Sequence, residues 1–280
     1  MNQIDSQILF RRAAVQPPYF AFNEIWGTDD GIGASLIPEH DMEDETGPIA
    51  AAEVGRHLAI LGSCAAAAVA TEDKLYYLAT KALLQRTASW PGTGDPLVAT
   101  AKIIEIGRRE LTTHAILSSG EPIFTLDCSY HVLPQKMFER FFAQYRLLHP
   151  ILVTKTPYSV PVTLDAITYE SDGLSATCGP LDAIACAGHF PDFPAWPVAV
   201  VMHSLSRLAG RALQRHVGRQ CSYSVVRADV TADHLTFAPD PLSLRAVRLS
   251  SDGDTHIFDC SATNNQKTVG AMKLQLHVSL

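Results

Sequence analysis

The chain has 280 residues, 47% of them hydrophobic and 18% charged, with a formal net charge of −7. That length suits two domains of about 140 residues each, and the acidic balance speaks against nucleic acid, whose phosphates need a basic face. The six cysteines are scattered without a CxxC or a compact Cys/His cluster, so neither a disulfide framework nor a metal site is indicated.

In chain order, residues 1–14 place Asp5 early and Arg11-Arg12 after a short apolar run, the wrong order for a signal peptide. Residues 58–70 form the longest apolar stretch, too short and too Ala-rich to span a bilayer. A soluble, cytoplasmic protein without a membrane span is the expectation. After a mixed opening segment, residues 47–71 have Pro48 just inside their start and a run of strong helix formers. They are apolar around most of their circumference, which predicts a helix buried on nearly all sides.

Extended segments follow at 75–84, 97–106, 111–118 and 122–133, bounded by turn signals such as Pro91-Gly92-Thr93-Gly94 and Ser119-Gly120-Glu121-Pro122. Residues 134–148 read as an amphipathic connector helix closed by Pro150, with Phe138, Phe141, Phe142 and Tyr145 as packing residues. The order then recurs. Extended chain over 158–184 precedes a second helix over 197–217. Strands follow at 222–230, 242–250, 256–263 and 268–278, with Asp252-Gly253 and Asn264-Asn265 at hairpin positions. Each half thus reads as short strands, one long buried helix and a run of antiparallel strands. This order fits an α+β chain of two tandem hot-dog domains, a pseudo-dimeric double hot-dog divided at 1–148 and 149–280, although composition alone would also allow unrelated two-domain α+β folds; a motif decides between them.

Residues 188–210 read GHFPDFPAWPVAVVMHSLSRLAG. Gly188, His189, Phe190 and Pro191, then Pro194 and Pro197 before a helix, resemble the signature of the 3-hydroxyacyl-acyl-carrier-protein dehydratases. The resemblance implies a site assembled across two hot-dogs, a His from one facing a carboxylate on the central helix of the other. Such a pair would remove the C2 proton and protonate the departing 3-hydroxyl, the carboxyl having its pKa raised by desolvation. Donors for the thioester carbonyl would come from a helix N-terminus.

The sequence departs from that pattern. Where the family carries its acid, fourteen residues after the motif His, this chain has His203; Val198 replaces the Gly after the last motif Pro. The first half has a carboxylate at the corresponding place, Glu53, but no motif His; fourteen residues earlier stands Glu39, beside His40. The resemblance therefore implies one composite catalytic site, His189 with Glu53, and a degenerate second site around His203 and His40. Substrate would be bound by Phe190, Pro197, Val198, Ile49, Ala50 and His57, with the carbonyl donor left open between Ile49, Ala50 and Val198. Arg56 and His57 could line the pocket, though an ordinary polar contact is the simpler reading of both. Arg207, Arg211, Arg215 and Arg219, and separately Arg108-Arg109, could receive a carrier; an ordinary solvated stripe is the simpler reading.

The implied activity is a hydro-lyase acting on a 3-hydroxyacyl thioester in polyketide-like or specialised fatty-acid synthesis. It implies no cofactor beyond substrate phosphopantetheine, no metal, and acyl carrier protein or a coenzyme A thioester as partner, with a homodimer or partner synthase as further options. Two alternatives stand beside it: a hot-dog acyl thioesterase, and a non-catalytic hot-dog that binds acyl chains or stabilises a partner.

Overall fold

The computed structural model describes residues 3–71, 74–89, 95–149, 151, 153 and 155–279. The turn read at 91–94 and the closing Pro150 lie outside the described residues. The first half contains α1 (Ser6–Ala13), β1 (Phe22–Gly27), β2 (Ile32–Leu36), α2 (Ala51–Val69), β3 (Leu75–Arg86), β4 (Leu97–Ile106), β5 (Glu110–Ser119), β6 (Glu121–Pro134) and α3 (Gln135–Phe141). The second contains β7 (Asp165–Tyr169), β8 (Gly173–Cys178), α4 (Val198–Val217), β9 (Ser222–Ala232), β10 (Leu242–Asp252), β11 (Thr255–Asn264) and β12 (Lys267–Ser279).

All twelve strands form one sheet in the order β1-β2-β4-β5-β6-β3-β9-β12-β11-β10-β8-β7. Read outward from the central β3–β9 pair, each half gives its third, sixth, fifth, fourth, second and first strand. The halves are thus the same motif joined antiparallel, with Ala82 opposite Val230 and Leu84 opposite Ala228. Helix α2 packs on β4, β5 and β6, α4 packs on β8, β10 and β11, and the two helices pack on each other. Each half is a hot-dog, and the chain is a double hot-dog.

Local chemistry explains the boundaries. Helix α2 starts without a capping side chain at Ala50; instead the buried Glu45 carboxylate, six residues upstream, accepts the Ala51 N–H at 2.8 Å. Helix α4 ends where Gly218 takes a left-handed conformation and its N–H returns to the Gln214 carbonyl. The Asp252–Thr255 hairpin turns through Gly253 at φ +55°.

Two expectations change. The connector helix is α3 alone, followed by a 3-10 turn at Ala143–Tyr145. Phe138 is buried against Tyr76, and Tyr145 stacks on Phe237, whereas Phe141 is exposed. The opening segment, unassigned from sequence, holds α1, capped by Asp5, together with the β1–β2 hairpin. Among the described residues, no helix is long and apolar enough to cross a membrane.

Gly62 faces β5 and β6, where an added Cβ would lie 2.5 Å from Thr113 Oγ1 and 2.9 Å from the Tyr130 hydroxyl. That hydroxyl is tied to the Ala59 carbonyl at 2.8 Å. Gly62→Ala is expected to lower Tm, because overpacking of about 1–3 kcal/mol outweighs about 1 kcal/mol of helix propensity. A higher Tm in thermal denaturation would contradict this packing.

Candidate active site

The Gly-His-Phe-Pro segment is braced by the first half of the chain. Gly188 has φ +83°, and a Cβ there would sit 2.2 Å from the Gln16 carbonyl oxygen; the Gln16 N–H donates to the Gly188 carbonyl at 2.9 Å. Val15 forms an isolated bridge with His189. Phe190 is also left-handed, at φ +52°, a conformation uncommon for a bulky side chain. Its ring stacks on His189 at 4.1 Å and meets Tyr76 and Phe138. The motif is therefore a junction element wedged between the two halves.

His189 is buried, with Nδ1 3.1 Å from the Ala195 carbonyl oxygen. A carbonyl only accepts, so Nδ1 carries the proton and Nε2 keeps its lone pair. Burial pushes its pKa down to about 4, against an opposing effect of the Ala195 bond; the ring is neutral at pH 7. The same segment holds the start of the next loop. Ala195 bridges to Phe237, and the Trp196 N–H donates to the Thr236 carbonyl at 2.8 Å.

His189 opens on a cavity of about 360 Å³ between α2, α4 and the junction strands. Phe190 and Val198 line it, as expected, and so do the small residues Ala51, Ala52, Gly55 and Ala59 of α2. Ile49 and Ala50 are buried immediately before α2 and Pro197 is the N-cap of α4; these three are not among the described lining residues. Asp233 is the only carboxylate among them. It and His234 follow the end of β9, exposed at the rim, with both N–H groups directed to the Val269 carbonyl. Sequence reasoning missed Asp233. The available signal was an Asp-His pair immediately beyond a strand.

Glu53, expected to face His189, is turned into a different environment. Its carboxylate accepts the Glu39 N–H at 2.8 Å and the His40 N–H at 3.1 Å, with His57 Nε2 at 3.3 Å and an Arg56 nitrogen at 3.7 Å. Arg56 also pairs with Glu39 and lies over the Tyr158 and Tyr19 rings. Helix geometry explains the outcome. Residues 52, 55, 56 and 59 share the α2 face that lines the cavity, whereas Glu53 and His57 form a neighbouring i,i+4 row. The charged side chain of α2 that lines the cavity with His189 is Arg56, and His57 belongs to the charged cluster.

Burial alone would raise the Glu53 pKa, but the His57 hydrogen bond and the neighbouring His40, His57 and Arg56 charges bring it down to about 2. A carboxyl held that low stays ionised and cannot deliver a proton to a leaving hydroxyl near neutral pH. Glu39, Glu53 and His57 also offer ligand atoms within 4.8 Å of one another. An Arg56 nitrogen stands among them, 3.2 Å from His57 Nε2 and paired to Glu39, and supplies the positive charge a metal ion would bring.

The expected second-site pair does come together. His40 and His203 stack at 5.0 Å and line a second cavity of about 370 Å³ with Tyr158, Val160 and Leu181. Of the α4 arginines, Arg207 holds Glu43 through two bonds of 2.7 and 2.8 Å, and Arg215 lies over Tyr169. These two serve contacts within the chain.

No family model and no curated protein sequence matches the chain. Solved structures do. The tesB protein of Mycobacterium avium subsp. paratuberculosis superposes with a TM-score of 0.60 at 9% identity, over 91% of this chain and 96% of that one. A hot-dog-fold protein of Alicyclobacillus acidocaldarius gives 0.55 at 11% identity, over 95% and 99%. An acyl-CoA thioesterase II, TesB2, of Mycobacterium marinum gives 0.52 at 11% identity, over 91% and 95%. At such identities the likeness shows the double hot-dog fold. The dehydratase reading of the sequence is corrected: several structures of this fold, TesB2 among them, are named as thioesterases, hydrolases rather than lyases, and the carboxylate assigned as acid is locked in an ion-paired cluster.

Burial lowers the pKa of His40 to about 3 and those of His189 and His203 to about 4, all from 6.5. The unfolded chain therefore takes up these protons first as pH falls. The stability is fully present above pH 6.5 and is lost as pH drops toward 4, at up to about 1.4 kcal/mol per pH unit for each histidine. Glu53 acts in the same direction below 4.5. Glu45, whose pKa burial raises to about 7, opposes this between pH 7 and 4.5, so the histidine contribution is read as a difference. Chemical denaturation across pH 8 to 4 should show stability falling less steeply below 6.5 in His203→Gln than in wild type. An equal slope in that variant would refute the assignment.

Proposed function

We propose that the chain hydrolyses an acyl thioester carried on coenzyme A or acyl carrier protein, with the acyl chain in the cavity between α2 and α4. The observation that carries this reading is a buried, neutral His189 with a free Nε2 lone pair beside an apolar cavity whose rim holds Asp233. The thioesterase names borne by structures of the same fold agree with it.

In this reaction a water oxygen adds to the thioester carbon while a base takes its proton. The C–S bond then breaks, and that proton goes to the departing sulfur. His189 Nε2 is the base best prepared, being neutral at the working pH and fixed in one tautomer by Ala195. Asp233, a carboxylate at the rim, is the second group able to orient or deprotonate water.

The oxyanion needs backbone N–H groups not already engaged. The N-terminus of α2 is occupied by Glu45, whereas α4 starts at Pro197 without a side-chain cap, and Val198 and Ala199 line the cavity. We therefore assign the oxyanion donors to the first turn of α4.

Purified protein incubated with acyl-CoA thioesters of graded length is expected to release free thiol, followed with a thiol-reactive chromophore. His189→Ala should lower kcat by about 10²–10⁴-fold, the range for loss of a general base. Asp233→Asn tested alongside shows which group the proton transfer needs. Wild-type protein that releases no thiol from any chain length would sink the hydrolase reading.

A further inference from the structure

The cavity wall contains a buried hydroxyl without a partner among the described residues. Ser206 on α4 is 5% exposed and lines the cavity, and its Oγ has no hydrogen-bond partner among the described residues. The other serines of the two central helices settle differently. Ser204 donates to the Val200 carbonyl at 3.0 Å and Ser63 to the Ile60 carbonyl at 2.8 Å, the usual local solution for a helical serine. A buried hydroxyl without a partner destabilises the free protein by about 1–3 kcal/mol, and an alanine would fill the same helical position without that penalty. Ser206 is therefore placed to meet something that enters the cavity.

The position defines what that is. Met202 lies one turn before Ser206 and brings its Cε to Gly270, the residue after Val269, whose carbonyl holds the Asp233 rim. Ser206 is thus one helical turn, about 5.4 Å, further along α4 from that rim. The same wall includes Leu84, Leu126, Val225 and Leu274, which suit hydrocarbon. Ser63 lines the same cavity from α2; its proton is committed to Ile60, so its oxygen can still accept.

We infer that the acyl chain taken by this cavity carries a hydrogen-bonding oxygen, hydroxyl or keto, within its body, and that Ser206 is the specificity-determining donor to it. The inference rests on the proposed acyl site and deepens it by naming a substrate class, oxygenated rather than plain acyl chains. A plain chain at this depth would seal the serine hydroxyl against methylene groups and leave it unpaired, which disfavours its binding.

The test uses the whole chain and does not require turnover. Decanoate and its 3-, 5- and 7-hydroxy derivatives are titrated while tryptophan fluorescence is followed, Trp196 being part of the cavity wall. Wild-type protein should bind at least one hydroxylated isomer about tenfold more tightly than decanoate, and Ser206→Ala should abolish that preference. The ligand-free variant should melt at or above the wild-type Tm, since it loses an unpaired buried hydroxyl, whereas a structural serine would lower it. Equal or weaker binding of every hydroxylated isomer by wild type, or a preference that survives Ser206→Ala, overturns the inference. The corresponding coenzyme A thioesters separate the two claims. Preference in binding without thiol release refutes hydrolysis and leaves the inference standing; thiol release without preference does the reverse.

Discussion

Five residue pairs, Lys81 to Gln85 against Thr231 to Arg227, decide the architecture. Without them each half would expose a sheet edge, a row of unpaired backbone groups open to association. With them the two half-sheets continue into one another, and α2 and α4 are forced side by side on the joined surface. The ladder stops at Lys81 and Thr231. Beyond that point β3 and the residues after β9 part, and residues 78–80 and 232–236 line the cavity. The join that stabilises the chain also creates its binding space, because a helix pair with Ala51, Ala52, Gly55 and Ala59 at the contact leaves volume that larger side chains would fill.

The buried charges set the other constraint. Arg56, Glu39, Glu53 and His57 are all drawn from the first half, yet the cluster stands between the two cavities: Arg56 lines one and His40 the other. Burying one of these ions alone would be prohibitive, so the paired arrangement is fixed as a unit. It holds residues 39 and 40 against α2 through backbone N–H groups, and that places the His40 ring on His203 of the second half. The carboxylate there serves structure. The imidazole at 189, by contrast, is buried without a charged partner and keeps one nitrogen unprotonated. These two fates of titratable groups are what the proposed base-assisted attack by water rests on.

Much was legible in the chain itself. The Leu97–Ile106 strand emerged with its observed bounds, and the long buried helices followed from uninterrupted apolar runs, since period and propensity are local properties. The repeated element order fitted the double hot-dog, since a single apolar helix per half has to be wrapped by its own strands, and the Gly-His-Phe-Pro motif selected it from other two-domain α+β folds. Gly188-His189-Phe190-Pro191 marked the cavity, since a glycine, an aromatic and prolines at that spacing impose a backbone path whatever the surroundings. The sequence also grouped His203 with the Glu39-His40 region, and the His40 and His203 rings lie together.

What the sequence could not decide was which side of a helix faces which space. Glu53 and Arg56 are three residues apart on a helix apolar nearly all round, so no hydrophobic stripe identified the cavity face, and the resemblance to dehydratases assigned the role to the wrong row. Tertiary packing settled it by bringing residues 39 and 40 onto Glu53 and leaving Arg56 toward His189. It also brought Asp233 to the rim, where the Val269 carbonyl from β12 fixes a dipeptide that looked like an ordinary strand end. Local composition determined the elements, their order and the Gly-His-Phe-Pro loop. The pairing of β3 with β9, which joins residues more than a hundred positions apart, and the charge cluster that holds residues 39 and 40 on α2 determined which of the candidate residues share a cavity.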